Sequence, residues 1–322
     1  MRFFIFGIAL SLSLPILADS VRATITMAGP PSVVSFPLFR MIEEHALKAQ
    51  AIDVRFQLWQ NGEQLRALLV SEHIDFTAAP SHLPANLYNR GFPVRLLTIS
   101  AWGVHWLVSR DPNVHNFEDL RGKELVVPLR HDMPGILIDR LLAAHGWVAG
   151  RDLVIQSARD FPSAVNQLLS GQAENALLVE PSVSILLARN AEQPGAAPLY
   201  RVQSLQAFWA TSFPEQPQLP QAGLMATGKI IQDSALLLVV AQAYQRASVW
   251  CQDQRHECAE LAHRYLPHLS VAALEESIKY SPLDARQAVD VQQQLEAFYK
   301  LLFVQTPELI GGRIPEAGLY AR

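Results

Sequence analysis

The chain has 322 residues, half of them hydrophobic and 17 % charged, which supplies apolar sequence for two ordinary cores and excludes a disordered chain. Its formal charge of −4 argues against a nucleic-acid partner, which would ask for a basic face.

Met1-Arg2, an apolar run over 3–14, the break at Pro15 and Ile16-Leu17-Ala18 predict a secretory signal peptide over 1–20, cleaved between 18 and 23. The alternative is a membrane anchor, but the run falls short of the roughly 20 residues a spanning helix needs. A soluble protein exported to the periplasm is expected. Residues 21–28 alternate and read as a first strand. Ser32 is placed to cap a helix reaching Gln50, and 51–59 form a second strand. Leu65, Leu68 and Leu69 mark one face of a short helix, followed by a strand over 74–79 that ends at Pro80-Ser81. A helix over 81–90 and a strand over 93–100 follow, and 100–103 reads as a crossing into a second lobe.

The second lobe is predicted to hold strands over 104–109, 124–128 and 152–157, with helices over 129–145 and 161–170. Residues 168–182 then repeat the unit seen over 69–81. Leu69 to Asp75 aligns with Leu168 to Glu174, and both copies run into a hydrophobic strand that leaves at Pro-Ser. A helix follows over 182–190. Residues 193–221, with prolines at 194, 198, 214, 217 and 220, read as a loop-rich return to the first lobe. A last strand over 222–227 precedes an all-helical stretch (230–250, 256–266, 271–279, 286–303) and a tail without periodicity.

Cys251 and Cys258 stand seven residues apart. One continuous helix would hold them roughly 10 Å apart, too far to bridge. A helix break over 252–256 would let them pair, and in an oxidising compartment a structural disulfide is expected.

The motifs Asn61-Gly62 with Leu65, Leu68-Leu69 and Ile74-Asp75, the run 117–123 (FEDLRGK), and Ser170-Gly171-Gln172 leading to Glu180-Pro181 give the chain a resemblance. It resembles the periplasmic solute-binding proteins of ABC importers for nitrate, taurine and alkanesulfonates, which share their fold with thiamine-pyrimidine synthases. Glu72 stands where that family usually has Gly, and Glu174 where it usually has Asp. The resemblance implies an α/β, two-lobe periplasmic-binding-protein fold (type II), each lobe a parallel-rich sheet flanked by helices, with two crossovers. Lobe 1 would be 21–101 and 221–303, lobe 2 102–220, and 304–322 the tail. It implies a monomer that binds a small-molecule ligand, meets an ABC permease of the inner membrane and needs no cofactor.

In open parallel sheets ligands bind outside the carboxyl ends of the strands. That rule selects Ser32, Trp59, Pro80, Ser81, Trp102, Arg130, His131 and Glu180 as ligand-binding candidates. Helix N-termini there favour an anion, and Arg130 could pair a carboxylate or sulfonate bidentately. Ser32 and Ser81 could equally be helix caps alone, Arg130 could pair with Asp132, and the tryptophans could be core. Glu180 accepts from a ligand amine or holds a contact across the lobes. The set suits a small organic anion (a sulfonate, nitrate-like or related solute), with an amine where Glu180 faces it; an aromatic heterocycle such as a pyrimidine, stacked on the tryptophans, stays open.

No metalloprotease His-Glu-x-x-His, Gly-x-Ser-x-Gly elbow or phosphate-binding Gly loop occurs, so no catalytic or metal residue is expected. The alternatives are a pyrimidine-precursor biosynthetic enzyme on the same fold, and a ligand-sensing binding module.

Overall fold

The computed structural model describes residues 23–320; the expected signal peptide over 1–20 lies outside the described residues. Six strands and the helices between them are built before the chain first changes sheets or after it returns. In order these are β1 (Ala23–Gly29), α1 (Phe36–Glu43), β2 (Ile52–Leu58), α2 (Gly62–Val70), β3 (Phe76–Pro80), α3 (His82–Asn89) and β4 (Val94–Trp102). The second sheet holds β5 (His105–Ser109), β6 (Glu124–Pro128), α4 (Met133–Ala144), β7 (Val154–Ala158), α5 (Phe161–Leu169), β8 (Asn175–Val179), α6 (Ser182–Ala191) and β9 (Tyr200–Ser204), followed by α7 (Leu205–Ser212). The chain then returns with β10 (Pro220–Thr227), α8 (Ser234–Asp253), α9 (Arg255–Tyr265), α10 (Val271–Lys279), β11 (Leu283–Gln287) and α11 (Gln292–Gln305).

The strand orders are β11-β4-β10-β3-β1-β2 and β7-β6-β8-β5-β9. Leaving β11 aside, one order maps on the other: β6, β7 and β8 take the places of β1, β2 and β3. In each sheet the next position is filled by the strand that arrives from the other sheet, β10 in the first and β5 in the second. Both arrive antiparallel, so each sheet is mixed rather than parallel-rich as expected. Between the named strands described, the parallel pairs are β1 with β2 and β3, and β6 with β7 and β8. Here a helix carries the chain back before each strand.

The repeated sequence unit occupies the same place in both sheets, as α2–β3 and α5–β8. Each helix starts the same way: Asn61 accepts from the Gln64 amide at 3.0 Å, and Asp160 from the Ser163 amide at 2.8 Å. Each stops on a left-handed residue, Glu72 at φ 53° and Gly171 at φ 74°. The position where Glu72 departs from the resembled family is thus one where a Cβ is costly.

Four stretches differ from expectation. The proline-rich return contains β9 and α7, whose Phe208 and Trp209 are buried; Phe208 stacks on Phe117 at 4.7 Å. The final stretch is not all helical, because the polar strand β11 pairs with the edge of β4. The first helix is short: α1 ends at Glu43 and a separate 3-10 turn covers Lys48–Gln50. The C-terminal segment, read as a tail, is docked on α3. Asn86 donates to the carbonyls of Glu308 (2.6 Å) and Leu309, and Asn89 to those of Ile310 and Arg313, while Ile310 and Leu319 are fully buried. Side-chain amides satisfy that backbone, so it needs no helical or strand period.

The break expected between the cysteines falls at Gln254, whose backbone (φ −118°, ψ 60°) ends α8 and starts α9. Cys251 and Cys258 are bonded, with Cα atoms 5.1 Å apart, in a buried cluster with Val33, Phe36 and Phe39.

Two outcomes follow for stability. Glu72→Gly should raise the unfolding free energy by about 0.5–1 kcal/mol, the relief of one left-handed side chain, read by urea melts; a loss would contradict the strain. Replacing Cys251 and Cys258 together with Ser should lower stability by about 2.5 kcal/mol, the closure entropy of so short a loop. Calorimetry on the oxidised and double-Ser proteins checks this, and equal melting temperatures would contradict it.

Candidate functional site

The two sheets approach each other at their strand ends, where polar contacts join the lobes beside the apolar packing of Ile185, on α6, against the cluster of α9 and α10. The peptide N–H of Val104, just after the first crossing, donates to Gln221 Oε1 at 2.6 Å. The same amide's Nε2 lies 2.9 Å from His105 Nδ1. Gln221, on β10, and His105, on β5, are both buried. Around this pair the lobes touch again. His82, the first residue of α3, holds Nε2 3.3 Å from Oδ1 of Asp132, the N-cap of α4. Ser32 Oγ donates to the Glu180 carbonyl at 3.3 Å, and Trp106 Nε1 to the Tyr280 carbonyl at 3.1 Å.

The candidates chosen from sequence fall into two groups. Ser32 and Glu180 come together across the lobes, so the cross-lobe alternative for Glu180 applies to its backbone carbonyl. Its carboxylate stays within lobe 2: fully buried, it accepts from Arg201 and from the Ser184 amide at 3.1 Å. The Arg201 guanidinium in turn lies 3.7 Å over the Tyr280 ring of the C-terminal helices. His131 is exposed beside Asp132, and Pro80 ends β3 beside Ser81 and His82. The rest are engaged with partners of their own sheet and the helices on it. Trp59 is buried, with Nε1 donating to Thr77 Oγ1 at 3.1 Å. Trp102 donates to the Asp284 carbonyl at 2.8 Å and lies under Arg286. Ser81 is fully buried; its hydroxyl donates to the Pro220 carbonyl at 2.5 Å and its own carbonyl accepts from Tyr299 at 2.8 Å. Neither Ser32 nor Ser81 caps a helix through its side chain. Arg130 pairs bidentately with Asp139, at 2.8 and 2.7 Å, and not with Asp132. Asp139 lies two turns into α4, within reach of a long side chain folded back over the first turn.

The electrostatics differ from those of a ready anion site. Asp132 Oδ1 accepts from the Met133 amide at 2.6 Å at the start of α4, and Glu180 takes the Ser184 amide at the start of α6. The chain's own carboxylates thus use the positive helix ends that an anion would seek. The two nearby guanidinium groups, Arg130 and Arg201, are paired to carboxylates.

His82 and His105 were absent from the sequence-based set, although His82 directly follows Pro80-Ser81 and His105 the first crossing. Both are buried, at 8 % and 4 % exposure, and each has one ring nitrogen without a partner: Nδ1 of His82 and Nε2 of His105. Burial lowers the His105 pKa to about 4, against the opposing pull of the Gln221 hydrogen bond and the Asp132 charge. Burial also lowers that of His82, opposed by Asp132. A groove of about 470 Å³ lies between α8 and the start of β11, and no residue of the lobe contact lines it.

The depressed His105 value sets a pH window. An exposed histidine protonates near pH 6.5, so between 6.5 and about 4 the unfolded chain binds a proton that the folded chain does not. The stabilisation is complete above 6.5 and is lost as the pH falls toward 4, amounting to about 3 kcal/mol over the whole interval. Urea melts at neutral pH and near the bottom of that window should show the fall in wild type and a smaller one in His105→Gln. Equal slopes in the two proteins would contradict the assignment.

No family model matches the sequence, and no curated protein matches it. Solved structures do match. An ABC transporter protein from Parabacteroides distasonis is similar at 18 % identity and TM-score 0.76, over 93 % of this chain and 99 % of that one. The periplasmic aliphatic sulphonate binding protein of Escherichia coli gives 14 % identity and TM-score 0.66, over 91 % of this chain and 92 % of that one. The periplasmic nitrate-binding protein of Synechocystis gives 13 % and 0.67, over 89 % and 84 %. The fold is therefore the two-lobe α/β fold of periplasmic binding proteins.

Proposed function

We propose that this chain is the solute-binding component of an ABC-type importer, a monomer that works outside the cytoplasm and is not an enzyme. The observation that carries the reading is the polar seam between the lobes, formed by Gln221 with Val104 and His105, His82 with Asp132, and Ser32 with Glu180. Contacts made only when two lobes meet are the means by which a solute shifts a population from open to closed. The closed form is what a permease would engage. The names of the similar structures put sulfonates and nitrate first among solutes to try. Lobe 1 is taken as 21–101 with 221–303, and lobe 2 as 102–220.

The rival readings, a pyrimidine-precursor enzyme and a ligand-sensing module, share the fold. Sensing shares the closing cleft too, and genes for a permease and an ATPase beside this one would favour import over it.

Calorimetric titration of the exported protein with sulfonates, nitrate, small carboxylates and pyrimidines, followed by small-angle scattering, tests the reading. One solute should bind and reduce the radius of gyration. Binding without any change in that radius would contradict cleft closure, and turnover of a bound pyrimidine would favour the enzyme.

A further inference from the structure

Two peptide crossings join the lobes, and they run side by side: β4 ends at Trp102, and β10 begins at its ladder partner Pro220. A third element reaches the same place. β11 pairs with the end of β4, Leu283 opposite Ala101, and the Asp284 carbonyl takes the Trp102 indole N–H. Tyr280, just before this strand, closes α10, its amide donating to the Glu276 carbonyl at 3.2 Å. The first lobe thus fixes the Tyr280 ring from a helix on one side and a strand on the other.

What that ring meets belongs to the second lobe. Arg201 is held there by the edges of its guanidinium: one terminal nitrogen goes to the Glu180 carboxylate, and the other donates to Ser184 Oγ at 3.1 Å. That leaves the flat faces, which are weakly hydrated and which an aromatic ring covers well. The guanidinium lies 3.7 Å over the Tyr280 ring. The Trp106 ring meets Tyr280 at 87° with centroids 5.4 Å apart, and its N–H donates to the Tyr280 carbonyl. Beside them α6 packs on α10, with Ile185 against the cluster that holds Leu274 and Ile278.

The two flanks of the seam are unlike. α10 packs with α1, α8 and α9, on the side of the first sheet away from α3 and α11. In the second sheet α6 and α4 also cover opposite faces. The α6–α10 flank combines apolar packing, a hydrogen bond and a ring on a guanidinium whose side chain is 8 % exposed. On the α3–α4 flank the polar contact is His82 with Asp132, at 3.3 Å, and that carboxylate side chain is 46 % exposed. Water replaces such a contact at little cost, whereas parting α6 from α10 exposes apolar surface.

We infer that Tyr280 is a third, noncovalent link of the hinge: the α6–α10 flank stays joined whether the lobes are open or closed, and they part on the α3–α4 flank, where the solute enters. The entry side rests on the solute-binding reading; the link does not.

The test uses the full exported chain with no solute added, and two pairs of spin labels at exposed positions. Arg189 with Ala272 spans α6 and α10, and Arg90 with His131 spans the end of α3 and the start of α4. Pulsed electron resonance should show a narrow distance distribution for the first pair and a broader one for the second. Tyr280→Ala should abolish the narrow population of the first pair, and Tyr280→Phe, which keeps the ring, should retain it. A first pair as broad as the second in the otherwise wild-type chain, or a second as narrow as the first, overturns the inference. So does a first pair unchanged by Tyr280→Ala, or broadened as much by Tyr280→Phe. Because no solute is used, a calorimetric panel without a binder would count against the solute-binding reading and leave the link standing, and a failed link would leave that reading to the panel.

Discussion

The arrangement of the two lobes depends on one buried side-chain amide. Gln221 sits at the start of β10, the strand that returns to the first sheet, and holds both the backbone of Val104 and the ring of His105, at the start of the strand that leaves for the second. The two crossings are thereby tied to each other as well as to their sheets. An amide is suited to this: it donates and accepts at once, carries no charge to desolvate, and leaves a costly orphan if its partners move away. Other cross-lobe contacts join His82 to Asp132, Ser32 to Glu180 and Trp106 to Tyr280, and α6 packs on α10.

A second constraint is how the carboxylates near the seam are used. Helix N-termini at strand ends make a general case for an anion site, and the sequence supports that case as far as residue types go. In the folded chain Asp132 and Glu180 cap the helices themselves, and Arg130 and Arg201 are tied to acidic partners. Neutral histidines are what the seam leaves unpaired. The same backbone architecture can therefore serve solutes of different charge, depending on which side chains occupy the helix ends.

Much of the fold was legible because strands buried on both faces and amphipathic helices leave strong patterns. The repeat over 69–81 and 168–182 was visible because each copy has a capped helix, a left-handed stop and a buried strand. What escaped was at the edges. β9 and β11 are polar edge strands without a burial period, and the prolines on either side of β9 and α7 resemble loop punctuation. The docked C-terminal segment escaped for a related reason, since its backbone is satisfied by the amides of Asn86 and Asn89 more than 200 residues earlier. In the site, position was easier to read than pairing. The strand-end rule led to Ser32, Pro80-Ser81, Arg130-His131 and Glu180, all close to the seam. Nothing local shows that Arg130 chooses Asp139, or that Ser81 spends its hydroxyl on Pro220. His82 and His105 adjoin chosen positions, but only tertiary contact distinguishes them from surface histidines.

The central claim is that buried polar contacts centred on Gln221 hold the lobes together at their strand ends. Pulsed electron resonance between spin labels at the exposed positions Gln60 and His131, one on each lobe, measures this most directly. With the solute found by calorimetry bound, the account predicts a narrow short-distance population in the otherwise wild-type chain, and a broader, longer one when Gln221→Ala is introduced. Identical distributions in the two proteins would contradict it.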